Sequence, residues 1–183
     1  MPPNELSFSV DFSSSPQGSW IIGNVQTDRS PSNIINGILF PYNRSVAIYH
    51  CPADQSTVKD LPQVRRFRSY MLNAYLNSNL PNEPRSKRKE AQLQYPGKTF
   101  TFIDASEWMI SDGAFVVRWL GDKIWYDIPS DRHGQGASLA FADGHAEPWR
   151  WKWPKQNKQP FLPVANDADL LDLRRLQQTL PDP

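Results

Sequence analysis

The sequence predicts an α+β domain: a short antiparallel sheet with a C-terminal helix and long irregular loops. Three observations carry this. The chain has 17 prolines and only 9 glycines in 183 residues. Proline removes a backbone donor and clashes with the preceding turn, so this density cuts the chain into pieces too short for a helical bundle. Runs of β-branched and aromatic residues separated by turn residues concentrate in residues 98–153, the pattern of short strands. Near the end, leucines recur every three or four residues behind a capping residue, the pattern of one amphipathic helix. Hydrophobic residues make up 39% and aromatics 12%, enough for a packed core and foreign to disordered chains. The length suits a single domain spanning residues 1–183.

Each element follows from local chemistry. Residues 1–19 are polar and rich in Pro and Ser and read as an extended lead-in. Ile34, Ile35, Ile38, Leu39 and Phe40 have the spacing of a short helix, stopped by Pro41. Residues 45–50 read as an extended segment entering Cys51-Pro52. Residues 54–96 are the least regular part, with one apolar island at Tyr70, Met71, Leu72 and Tyr75. Residues 77–89, with Pro81 and Pro84, read as a long exposed loop. Strands are expected at residues 99–103, 115–119 and 123–128. Residues 137–141 and 147–153 flank Ala142-Asp143-Gly144-His145, and Asp-Gly between two such runs is a strong hairpin signal. Asn166 caps the final helix, expected over 166–180, with Leu170, Leu173, Leu176 and Leu180 as its docking stripe and Pro181 as its stop.

The formal net charge is +1, so nothing in the balance calls for nucleic acid. Two basic clusters, Arg65/Arg66/Arg68 and Arg85/Lys87/Arg88/Lys89, read as solvated loop charges. The single cysteine, Cys51, excludes an intramolecular disulfide and a Cys-rich zinc site. No window reaches the roughly 18 apolar residues of a spanning helix, and the N-terminus lacks a basic-then-apolar signal pattern.

Several residues are candidates for chemistry. His133, Asp143 and His145 offer two imidazoles and a carboxylate for a divalent metal, provided the chain between them bends. Against that, Asp143 serves equally well as a turn residue bonded to its own backbone. Calcium would draw on Asp104, Asp112, Asp127, Asp131 and Asp143, which show no EF-hand spacing. A polysaccharide hydrolase would use a carboxylate pair from Glu107, Asp112, Asp143 and Glu147. No Gly-x-Ser-x-Gly elbow is present. Cys51 beside His50 makes a poor catalytic pair, since neighbours on a strand face opposite ways, and Cys51 reads as a small buried hydrophobe before a turn. Trp149, Trp151 and Trp153 alternate with Arg150 and Lys152. They form either a wall of the core beneath the final helix or, if exposed, an aromatic platform for a carbohydrate-binding module.

A set of motifs also carries a family resemblance. His133, nine residues, then Asp143-Gly144 is similar to the H-x9-DG motif of prepilin-type, pseudopilin-like proteins of planctomycete and verrucomicrobial bacteria. Cys51-Pro52-Ala53-Asp54 resembles that family's CPxD element, and Ser69-Tyr70-Met71-Leu72-Asn73 its SYxxN element. Phe102-Ile103-Asp104 and the run from Ile110 to Phe115 resemble the strand pair that follows, and the helix from Asp169 to Leu176 the family's tail. Together these cover roughly residues 36–181.

The resemblance implies a pilin-head-like fold and a structural role as the globular head of a type II secretion or type IV pilus-like subunit. It implies a periplasmic or extracellular location, with other pseudopilin subunits or secretion-system components as partners. In such proteins a long N-terminal hydrophobic helix anchors the head in the membrane. This chain resembles the head without that helix, and an apolar strip left open on the sheet is expected to favour self-association.

Overall fold

Among the described residues, nine short strands and three α-helices follow the proline-imposed segmentation. The strands are β1 (Thr57–Val58), β2 (Leu61–Arg65), β3 (Tyr70–Asn73), β4 (Phe100–Asp104), β5 (Ala114–Phe115), β6 (Ile124–Trp125), β7 (Gly136–Phe141), β8 (Ala146–Arg150) and β9 (Leu162–Pro163). The helices are α1 (Ser32–Ile35), α2 (Phe40–Asn43) and α3 (Asp167–Gln177). The computed structural model describes residues 14–77 and 85–182. The first part of the expected lead-in and most of the 77–89 loop lie outside the described residues.

The main sheet has five strands in the order β5-β3-β4-β7-β8. Its neighbours are antiparallel except β3 and β5, which run parallel. The α+β class holds, and the sheet reaches back to residue 70 rather than starting near 98. The β7–β8 hairpin turns at Ala142–His145, where Gly144 takes φ +93°, a conformation that suits glycine. Gly136 pairs with Arg150, and a Cβ on it would stand 2.2 Å from the Trp149 carbonyl oxygen.

The two sheet faces bury different partners, because side chains alternate along a strand. On one face Met71, Ile103, Ala137, Leu139, Phe141 and Trp149 join Phe100, Phe115, Trp125, Trp151, Leu173 and Leu176 in the larger core. Helix α3 supplies the last two. The Asn166 side chain accepts from the Asp169 N–H, as the capping residue should. Buried Lys155 ties α3 down: its Nζ donates to Asp169 Oδ1 at 2.8 Å and to Asp172 Oδ2 at 2.7 Å, and it lies 5.1 and 5.4 Å from the Trp125 and Trp151 ring centroids.

The opposite face carries Leu72 and Phe102, covered by Trp20, Ile21, Ile34 and Tyr49 in a second core. Trp20 stacks on Tyr49 at 5.9 Å and meets Phe102 edge-on at 5.1 Å. Among the described residues, cover stops short of β7 and β8, where Ser138 and Ala146 stay exposed. A groove of ≈ 360 Å³ results, with Ser138, Ala140 and Ala146 on its floor and Leu39, Ile48, Tyr49, Tyr70 and Phe102 along its walls.

Several expectations are corrected. The helix expected around residues 34–40 is two single-turn helices, and Pro41 sits in the first turn of α2 instead of ending a helix, a place where its missing N–H costs nothing. Residues 45–50 are not extended: Val46–Tyr49 form a 3₁₀ turn that buries Tyr49. The strand expected at 115–119 is two residues long, and β6 leaves the main sheet to pair with β9. Arg68 is not a solvated loop charge. It is 2% exposed and donates to the carbonyls of Tyr70, Ser111 and Asp112.

Candidate metal centre

The motif residues, far apart in sequence, meet where β3 and β4 reach the Cys51 turn. Proline at the second position of Cys51-Pro52-Ala53-Asp54 favours a β-turn, and the Asp54 N–H donates to the Cys51 carbonyl at 2.9 Å. The turn presents buried Asp54 to Ser69. The Ser69 hydroxyl donates to Asp54 Oδ2 at 2.7 Å and accepts from the Cys51 N–H at 3.1 Å. The Ser69 N–H donates to the Tyr49 carbonyl. One serine therefore fastens the turn to the start of β3. Asn73, fully buried at the other end of β3, donates to the Phe100 carbonyl and accepts from the Tyr75 N–H. Its role is to satisfy backbone groups that the short strand leaves open.

Asp104 ends β4 and is fully buried. Arg132 donates to Asp104 Oδ1 and to the Ala105 carbonyl, and pairs with Glu107 at 3.0 Å and with Asp54 at 3.8 Å. The next residue, His133, places Nε2 2.9 Å from Asp104 Oδ2 and 3.3 Å from Cys51 Sγ. Burial pushes the Asp104 carboxyl above its ordinary range, although Arg132 and His133 pull the other way. At Asp54 the Ser69 hydroxyl and the Arg132 charge outweigh burial, and the carboxyl falls below its ordinary value. Tyr70 abuts the centre: burial, then the nearby Cys51 and Asp104 groups, push its phenol up to about 12. His50 stays below the ordinary imidazole range because of burial.

The ligand atoms of Cys51, Asp104 and His133 all lie within 4.8 Å of one another, a group that could hold a metal ion. It is the one such group of three among the described residues. It does not resemble a nucleophile–base–orienter relay, which uses both ring nitrogens of the histidine. Here thiol and carboxylate converge on the same nitrogen.

The structure divides the metal set expected from sequence. His133 joins Cys51 and Asp104, while Asp143 and His145 pair with each other beyond the far end of β7, with Glu147 3.4 Å from His145. An extended strand keeps the two groups apart. The hydrolase candidates are spread over different surroundings. Glu107 pairs with Arg132, Asp112 is buried and accepts from the Ala114 N–H, and Asp143 and Glu147 stand exposed at the hairpin.

The three-tryptophan platform does not form. Trp149 and Trp151 are 5% and 3% exposed within the core, and only Trp153, beyond the end of β8, is 40% exposed. Trp151 donates to the Ser130 carbonyl and Trp149 to Glu147.

Sequence reasoning missed Asp104 as a partner of His133 and dismissed Cys51. Neither has a local signal, since their meeting depends on the β3–β4 pairing. No protein-family model, curated protein or solved structure matches the chain. No helix among the described residues is long and apolar enough to cross a membrane.

Proposed function

We propose that this domain is a structural head of the pilin-like kind, an assembly subunit whose open sheet face receives an apolar helix. The groove over β7 and β8 is the observation that carries the reading. Its floor is made of small side chains, Ser138, Ala140 and Ala146, which let a helix backbone approach closely. Apart from Asn43 its walls are apolar or aromatic, and Ile48 among them is 58% exposed. An apolar helix seated there would extend the smaller core across the sheet. The motif residues support the reading in a second way. Their hydrogen bonds fasten the Cys51 turn to the start of β3 and so hold the covering segments on the sheet. On this reading the partners are pseudopilin-like subunits or secretion-system components, and the location is periplasmic or extracellular.

The test is photo-crosslinking from a benzophenone amino acid placed at Ser138 or Ala146 in the groove, with Lys152 as the exposed control. Groove positions are expected to capture pilin-like subunits or secretion components in cells, and Lys152 is not. Equal capture from all three positions, or none from the groove, rejects the reading.

A further inference from the structure

We infer that Cys51, Asp104 and His133 form a binding site for one divalent ion of the zinc class. The inference stands apart from the assembly reading and can fail without it.

Three features support it. The first is distance. Zinc bonds of about 2.0–2.3 Å in tetrahedral array set neighbouring donor atoms roughly 3.4–3.6 Å apart. The Sγ–Nε2 and Nε2–Oδ2 separations are 3.3 and 2.9 Å and all three donor atoms lie within 4.8 Å of one another, so shifts of about an ångström or less seat an ion.

The second is donor chemistry. A thiolate, an imidazole and one carboxylate oxygen suit a borderline ion, whereas calcium wants six to eight oxygens. Three protein ligands leave a fourth position open, and the His133 side chain, 37% exposed, gives it access to solvent.

The third is the supporting shell. Arg132 engages Asp104 through Oδ1 and leaves Oδ2 free to face His133. This is the arrangement by which outer groups orient a ligating carboxylate. Arg132 itself faces three carboxylates, Asp54, Asp104 and Glu107, and Arg66 faces Asp54 and Glu107 as well, so the cluster sets three acidic groups against two guanidinium groups. Metal binding would staple the Cys51 turn to β4 and to the segment preceding β7, joining the two halves of the chain through bonds stronger than the present hydrogen bonds.

The test uses the purified, metal-free chain and cobalt(II), a spectroscopic stand-in for zinc. One equivalent is expected to produce a thiolate-to-metal charge-transfer band and tetrahedral ligand-field bands, and zinc is expected to displace it and raise the Tm. Cys51→Ala should abolish the charge-transfer band. His133→Gln changes a partly exposed side chain and is the variant that keeps the fold. It should weaken cobalt binding by at least about 100-fold, beyond the 10–100-fold typical of losing an outer-shell partner. Its metal-free Tm should stay near that of the parent chain. His145→Gln should change nothing. Absence of the charge-transfer band in the parent chain overturns the inference. So does binding that survives His133→Gln or is lost with His145→Gln.

Discussion

Arg132→Ala removes the guanidinium that pairs with both Asp104 and Asp54. The Arg132 side chain is 10% exposed, and those of Asp104 and Asp54 are 0% and 1% exposed. Breaking a buried pair by deleting one partner costs about 3–5 kcal/mol, because a charge is left without compensation. For a chain of this size each kcal/mol lowers Tm by about 2–4 °C, so the expected loss is roughly 6–20 °C.

The pH dependence gives a second readout. Without Arg132 the folded-state pKa of both aspartates rises, while the unfolded chain keeps ordinary values. The folded variant then binds more protons than the unfolded chain as pH falls from 7 toward 5, and it regains stability over that range. Thermal melts of parent and variant at pH 7.5 and pH 5 measure both effects. Glu107→Gln, which removes the half-exposed partner, should cost no more than about 1 kcal/mol. If Arg132→Ala costs less than about 1 kcal/mol at pH 7.5, or loses stability on acidification relative to the parent, the buried charge node is not what holds these segments together.

Other outcomes follow from the same structure. Burial pushes the Asp127 carboxyl up to about 7, so the folded state holds a proton that the unfolded state releases near pH 4. Stability is therefore lost as pH rises between those values, by up to about 4 kcal/mol. Asp127→Asn, which retains the acceptor for the Val116 N–H, should flatten that loss in denaturant titrations at pH 5 and pH 8. Trp149→Ala and Trp151→Ala should each cost about 3–5 kcal/mol, whereas Trp153→Ala should stay within about 0.5 kcal/mol in urea unfolding. Gly136→Ala should cost about 1–3 kcal/mol, since its Cβ would strike the Trp149 carbonyl. Hydrogen exchange should then locate the loosening in the β7–β8 hairpin.

What the sequence made legible was local. The Asp143-Gly144 turn, the Asn166 cap and the Leu173/Leu176 stripe depend on neighbours within a few residues, and each appears as expected. The β-branched and aromatic content of residues 99–103 predicts a strand, and the observed one, Phe100–Asp104, is offset by one residue. β3 escaped notice because its four residues, Tyr70–Asn73, sit amid charged and turn residues, and only pairing with β4 and β5 makes them a strand. The Val46–Tyr49 turn was misread because Val, Ile and Tyr favour strands, while burial of Tyr49 against Trp20 decided the conformation. The site was half legible. Motif spacing singled out Cys51, Asp54, Ser69 and His133, yet grouped His133 with Asp143 and His145. Sequence distance along β7 gave no hint that the partner of His133 lies 29 residues earlier, at Asp104.

The proposal that this domain is an assembly head rests on the groove, and chemical-shift mapping tests it most directly. The probe is a 24-residue Leu/Ala helix with lysines at its ends, long enough to span an apolar layer, titrated into the isotope-labelled chain. The account predicts saturable shifts confined to the groove, at Leu39, Ile48, Tyr70, Phe102, Ser138, Ala140 and Ala146. Shifts scattered over the α3 face, or none at all, contradict it.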